Sequence, residues 1–386
     1  MIPKLHIVDA DTHVNEAPDL WEKRMPSRYR ERAPRVVDLP RGQAWLCDGM
    51  PIPITTLINV AGQSPVGWQP IAPDGYRSMR PGGWDPAARL ADMDIDMIGI
   101  HVLFPSYALI MVRAQAGGGE IDREFHLALV RAYNDWMSEI SSAAPERLWG
   151  LAILPITGVD DAIAEAKRAR DLAGIRGVVP LTWPNGGGDP KPDDERFWSA
   201  IEEMELPVNL HIGFGEAGGA DPDLPKNPDI MARLQSMPVI NRERTASSMM
   251  PVLSEFILGG ILERHPKLRL ALVETGIGWI PFWCEQTDDN FLRHRFWTKC
   301  NLPMLPSDYW RRQCFATFQV DSYGLRNRDM VGVETILWSS DYPHSGADWP
   351  SSRRTIAEQM RGIPEAEQAL ILGGNARRLY GIGGGR

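Results

Sequence analysis

The chain has 386 residues, with 41 Lys+Arg against 50 Asp+Glu and a formal net charge of −9. That balance argues against a general nucleic-acid or anionic-membrane binder, whose footprint is a basic face. With 43% hydrophobic and 24% charged residues, wholesale disorder is excluded as well.

The first apolar run begins at once, over residues 5–11, without the apolar stretch of a signal peptide before it. A Pro/Gly-rich segment, 14–83, follows, with a small hairpin expected around Asp48-Gly49. Further short apolar runs, mostly rich in β-branched residues, occupy 97–103, 148–154, 177–181, 207–211, 268–274, 313–318 and 335–340. Continuous apolarity of this kind suits strands buried on both faces, as in a parallel sheet. Between them lie amphipathic stretches. In the clearest, Phe125, Leu129, Ala132, Tyr133, Trp136 and Ile140 share one helix face. Weaker versions cover 160–173, 194–204, 246–264 and 365–379. Eight strands alternating with helices predict an α/β fold, a distorted (β/α)₈ TIM barrel formed as one domain over residues 1–386. Long insertions, 14–83 and 212–244, follow strands one and five, so both belong to the face where such barrels keep their active sites. No run of about 18 apolar residues predicts a membrane span. Cys47, Cys284, Cys300 and Cys314 have no paired spacing and read as reduced thiols of a cytoplasmic protein.

The histidines sort by position. His6, His126, His265 and His294 precede strands or sit in helical text and read as packing or surface residues, and His101 inside the second strand reads as core. His13, His211 and His344 instead fall at or just past strand ends, where Asp11, Glu274 and Asp341 join them. Asp11 and His13 are two apart, so in a regular strand they share a face. Unpaired carboxylates brought together over a barrel mouth repel one another, and a divalent cation is the simplest compensation.

These residues lie in motifs with a family likeness. Ile7-Val8-Asp9-Ala10-Asp11-Thr12-His13, Leu210-His211-Ile212-Gly213 and Trp338-Ser339-Ser340-Asp341-Tyr342-Pro343-His344 resemble the amidohydrolase superfamily. More narrowly, they resemble its amidohydrolase-related branch, which includes the aminocarboxymuconate semialdehyde and hydroxybenzoate decarboxylases. Arg89-Leu90-Ala91-Asp92-Met93-Asp94, Leu103-Phe104-Pro105, Tyr133-Asn134-Asp135-Trp136 and Gly374-Asn375-Ala376-Arg377-Arg378-Leu379-Tyr380 extend the likeness to nearly the whole chain. The resemblance implies a metal held by Asp11, His13, His211 and Asp341. Two departures stand out: Asp11 occupies a position that is usually His or Glu, and Glu274 one that is often His. No lysine closes strand four, so the carbamylated-lysine bridge of some binuclear relatives is absent. The oxygen-rich ligand set shifts the expected metal from Zn towards Mn or Fe, as one ion or two. Glu274 and His344 are the candidates to hold the second.

The implied enzyme is a metal-dependent decarboxylase or hydrolase of a small carboxylated, aromatic or acyl compound, with Asp341, His211 and Glu274 as catalytic candidates. Asp341 would deliver a proton as CO₂ departs, or accept one from metal-bound water. Trp279, Trp183 and Phe104 are candidate substrate contacts. Two other readings compete: a dinuclear Fe/Mn oxygenase on the same fold, and an inactive structural partner subunit. The expected partners are a small-molecule substrate and further copies of the chain, with no nucleic acid or membrane.

Overall fold

The computed structural model describes residues 7–40, 42–64, 72, 74–116, 120–215 and 248–381. Its strands, in chain order, are β1 (Val8–His13), β2 (Arg35–Leu39), β3 (Gly42–Cys47), β4 (Met50–Pro53), β5 (Ile100–Phe104), β6 (Leu148–Ile153), β7 (Ile175–Val179), β8 (Val208–His211), β9 (Leu270–Val273), β10 (Cys314–Phe318) and β11 (Ile336–Trp338). Eight of them form one parallel sheet in the order β1-β5-β6-β7-β8-β9-β10-β11. Backbone hydrogen bonds then join the ends past β11 and β1. Asp341 N donates to Asp11 O at 2.9 Å, and His13 N donates to Tyr342 O at 2.6 Å. The result is a nearly closed (β/α)₈ barrel. Every residue of β5, β6, β8, β9, β10 and β11 is buried, which explains their unbroken apolar text.

The helix Arg123–Ser142 buries the face formed by Phe125, Leu129, Ala132, Tyr133, Trp136 and Ile140. Asp122 caps it, accepting from Phe125 N at 3.2 Å. Helices Val159–Arg170 and Glu195–Met204 likewise occupy the next two connections. The insertion after β1 carries its own antiparallel sheet, β2-β3-β4. Its hairpin turns at Asp48-Gly49, with φ of 48° and 79°, the left-handed pair that a two-residue turn requires. This insertion is pinned to the barrel by Glu16. Its fully buried carboxylate accepts from Ser106 N (3.0 Å), Tyr107 N (2.8 Å) and Ala108 N (2.9 Å), at the start of helix Tyr107–Ala116. Most of the second expected insertion, 212–244, lies outside the described residues.

Strand register sets which side chains enter the barrel. His211 pairs with Val273, and Leu210 with Leu272. Paired residues share a face. Leu210 and Leu272 pack with Phe197, Trp198 and Phe256 in the layer between sheet and helices. Val273 and His211 therefore face inward. In β1 the register slips between Asp9 and Thr12. Asp11 and His13 reach the mouth, whereas Asp9 meets His101 and Ser340. The opposite end of the barrel is closed by Tyr380, whose hydroxyl donates to Asn209 Oδ1 at 2.7 Å and whose ring lies 5.7 Å from that of Trp149. Among the described residues, no helix is long and apolar enough to cross a membrane.

Candidate metal centre

Four side chains predicted from sequence converge at the barrel mouth. His13 Nε2 lies 3.5 Å from Asp11 Oδ1, 3.5 Å from Asp341 Oδ1 and 3.2 Å from His211 Nε2. His211 Nε2 is 4.0 Å from Asp11 Oδ1. Asp11, His13, His211 and Asp341 are all buried. Asp11, His13 and His211 form one group close enough to share an ion, and His13, Asp341 and His344 form another.

The protonation pattern fits a cation. His13 Nδ1 lies 2.8 Å from the carbonyl of Pro105, and a carbonyl only accepts, so the proton is on Nδ1 and the Nε2 lone pair is free. His211 Nδ1 makes a longer contact, 3.4 Å, to the carbonyl of Ile212. Burial pushes the His211 imidazole down to about 3, so it stays neutral. The two Nε2 atoms face each other at 3.2 Å. Beside them, neither buried oxygen of Asp11 has a hydrogen-bond partner. Orphaned carboxylate oxygens beside two converging imidazoles are what a divalent ion satisfies. Two imidazoles with two carboxylates suit Zn, Mn or Fe.

His344 completes one side of the mouth. Its ring stacks on His13 at 4.0 Å, and its Nδ1 lies 2.7 Å from Asp341 Oδ1. Burial lowers the His344 imidazole to about 4, so it stands beside Asp341 as a neutral ring. Glu274 stands on the other side, with Oε2 3.6 Å from His211 Nε2. Glu274 belongs to neither of those two groups. The facing of β9 does not itself carry Glu274 to the mouth, since Leu270 and Leu272 belong to the layer packed on the helices. Glu274 is the first residue past β9, and its backbone turns left-handed (φ 64°), which swings the side chain over the mouth. Thr317 Oγ1 holds that turn by accepting from Glu274 N at 2.7 Å. A cleft lined by Glu274, Thr275, Phe318, Gln319 and Asp321 opens beside it.

The aromatic expectations divide. Phe104 lines the site, its ring 5.9 Å from His13 and 5.6 Å from His211. Trp279 lies over the loop after β9, its Nε1 donating to the carbonyls of Thr275 and Gly276 at 3.2 Å each. Trp183 is a correction. It is 2% exposed and stacked on Phe256 at 5.0 Å, edge-on to Phe214 and Trp198. A tryptophan so enclosed packs the core and has no face to offer a substrate. His101 is buried as expected, beside Arg89, and His126 and His265 serve packing; His6 lies outside the described residues. Sequence reasoning missed Thr317, because a threonine in a buried strand is ordinary β text.

Two curated decarboxylases are similar to this chain. One is the 2-amino-3-carboxymuconate-6-semialdehyde decarboxylase of Dictyostelium discoideum, 24% identical, covering 80% of this chain and 79% of that protein. The other is the gamma-resorcylate decarboxylase of Rhizobium radiobacter, 25% identical, covering 68% and 79%. Among solved structures, an amidohydrolase from Mycobacterium avium subsp. paratuberculosis K-10 superposes with a TM-score of 0.71 at 19% identity, covering 97% of this chain and 98% of that one. The amidohydrolase family model matches residues 8–382, and the chain belongs to that family.

Proposed function

We propose that the chain is a metal-dependent, non-oxidative decarboxylase of a small aromatic carboxylate. The observation that carries this reading is the gathering of Asp11, His13 and His211 close enough to share an ion, with Asp341 3.5 Å from His13 and the Asp11 oxygens unsatisfied, at the mouth of an amidohydrolase barrel. Decarboxylation is preferred to hydrolysis because both curated relatives are decarboxylases.

Asp11, His13, His211 and Asp341 would hold the ion. When bound, it supplies Lewis acidity toward a carboxylate and a neighbouring hydroxyl. Phe104 offers an apolar edge to a ring beside the two histidines. Asp341 handles the proton: entering the step protonated, it gives that proton to the ring carbon as the carbon–carboxylate bond breaks, the bonding pair stays on that carbon, CO₂ leaves, and solvent reprotonates the carboxylate. His344, neutral, packs against Asp341, its Nδ1 2.7 Å from Oδ1. Glu274 presents a second carboxylate from the far side, placed to accept from a substrate hydroxyl.

We also propose that the barrel with its insertions folds as one domain and works as a homo-oligomer in the cytoplasm. Phe282, Phe296 and Trp297, exposed by 62, 87 and 74% on and just after helix Ile280–His294, support association. Sedimentation velocity tests it, and a monomer at all concentrations would overturn it.

The enzymatic test uses protein stripped with a chelator and reloaded with Zn, Mn or Fe. CO₂ release is followed over a panel of hydroxybenzoates, with O₂ uptake recorded in parallel. Metal-dependent CO₂ release without O₂ uptake is expected. Loaded protein that releases no CO₂ from any member, or that consumes O₂ in turnover, would overturn the reading.

A further inference from the structure

Behind the mouth, between the barrel and helix Pro86–Asp96, lies a buried guanidinium. Arg89 and Asp92 fall three residues apart on one face of that helix, and both are buried, Arg89 being 2% exposed. A buried cation costs several kcal/mol unless its surroundings compensate. Arg89 finds neutral partners in direct contact. It donates to the backbone carbonyl of His13, its Nη1 lies 3.3 Å from His101 Nδ1, and its guanidinium covers the ring of Tyr342 at 4.7 Å.

Those partners are the supports of the mouth. His13 is a ligand candidate, and Arg89 holds its carbonyl. Tyr342 directly follows Asp341, and its hydroxyl donates to Asp92 Oδ2 at 2.6 Å. Ser340 directly precedes Asp341, and its amide donates to Asp9 Oδ1 at 2.8 Å. Asp9 faces His101, whose Nε2 lies 4.0 Å from Asp9 Oδ2. With Nδ1 accepting from Arg89, His101 carries its proton on the side toward Asp9. Contacts from one guanidinium therefore lead to the residues on both sides of Asp341 and to the backbone of His13. Asp341 itself sits in the left-handed region, φ 61°, a conformation that persists only where its flanks are fixed. Arg80 and Trp349 in turn hold Asp92, through a 2.5 Å ion pair and a 3.0 Å bond to its carbonyl.

We propose that Arg89 is a positioning residue of the catalytic centre, setting the separation of His13 and Asp341 from behind the barrel wall without touching substrate. The inference rests on the metal-centre reading above and adds a residue outside the mouth to it. A purely structural guanidinium would be worth stability alone. A positioning one must also change metal affinity and turnover, as groups supporting metal ligands do, by about 10–100-fold.

The experiment compares wild type, Arg89→Met, Arg89→Lys and Tyr342→Phe. Mn²⁺ affinity is measured by titrating the metal-free protein, kcat and KM on the best hydroxybenzoate, and Tm by scanning calorimetry. Arg89→Met is expected to lose about 10–100-fold in Mn²⁺ affinity and kcat with KM near wild type. Arg89→Lys, which keeps the charge, should recover part of the loss, and a crystal structure of metal-free Arg89→Met should show the 3.5 Å His13–Asp341 separation opened. A folded Arg89→Met with wild-type affinity, kcat and separation overturns the proposal, whatever its Tm. If Arg89→Met fails to fold, Tyr342→Phe decides, and wild-type affinity and kcat there overturn it. Wild-type protein that binds Mn²⁺ but releases no CO₂ would sink the decarboxylase reading, while the affinity and separation arms would still judge Arg89.

Discussion

Asp341, three residues past β11, and Glu274, directly past β9, both hang from left-handed backbone, with φ of 61° and 64°. For a residue with a Cβ this costs roughly 1 kcal/mol or more, and Asp or Asn tolerates it better than most. Asp341→Asn should therefore keep the backbone while removing the proton carrier. We expect kcat to fall about 100-fold or more with little change in Tm, measured by CO₂ release and calorimetry on the same preparation. Glu274→Gln separates two roles for the acid over the cleft. If Glu274 accepts from a substrate hydroxyl, kcat/KM falls while metal per chain stays constant; loss of metal would make it a ligand. Unchanged activity and metal content would remove Glu274 from the site altogether. These residues were legible in the sequence because metal-ligating types stood at successive strand ends. Arg89 was visible only as part of a family-like motif, since its role depends on contacts 76 residues away in the chain, at His13.

At the scale of elements, apolar runs located all eight barrel strands, because a strand buried on both faces leaves an uninterrupted signature. β2 escaped notice because its five residues are half-buried or exposed and carry Arg35 and Asp38. Periodicity also failed where geometry departs from a regular strand. The register slip in β1 separates Asp9 from Asp11, and the left-handed turn at Glu274 cancels the parity inherited from Leu272. Helix Arg123–Ser142 supplies a pH prediction. His126 bridges elements by accepting from Ile156 N at 3.2 Å and contacting Gln115 Oε1 at 2.9 Å, and burial lowers its imidazole to about 4. Its folded value lies below the unfolded 6.5, so the unfolded chain takes up a proton first as pH falls. Stability is unaffected above pH 6.5 and declines between there and about 4, by on the order of 2–3 kcal/mol from this group. Urea unfolding of wild type and His126→Gln across that window should give a shallower pH slope for the variant. Parallel slopes would contradict the assignment.

Across the whole molecule, the two ends of the barrel do different work. The mouth gathers ionisable groups, and the opposite end is sealed by Tyr380 from the last helical segment. Tyr380→Ala should cost about 3–5 kcal/mol in urea unfolding, as large aromatic truncations do in a packed core. Tyr380→Phe should cost about 1–3 kcal/mol, because Asn209 loses a buried partner. Equal losses for the two variants would mean that the ring contributes nothing beyond its hydroxyl.

The carboxylate of Glu16 is sunk against three amides at the start of helix Tyr107–Ala116, and burial raises its proton affinity. Lifting the segment after β1 away from the barrel would tear out that anchor and strand three donors at once. This stretch is consequently poor material for a hinged cover, and solvent exchange offers a direct reading of that. The amide hydrogens of Ser106, Tyr107 and Ala108 should be retained for as long as those of the neighbouring β5 strand, disappearing only in large cooperative openings. Substrate traffic would then have to pass on the Glu274 side of the mouth, and bound product should slow exchange at Thr275 and Gly276 while leaving the Glu16 anchor untouched. Rapid exchange at Ser106–Ala108 in the free protein would instead make the first insertion the moving part.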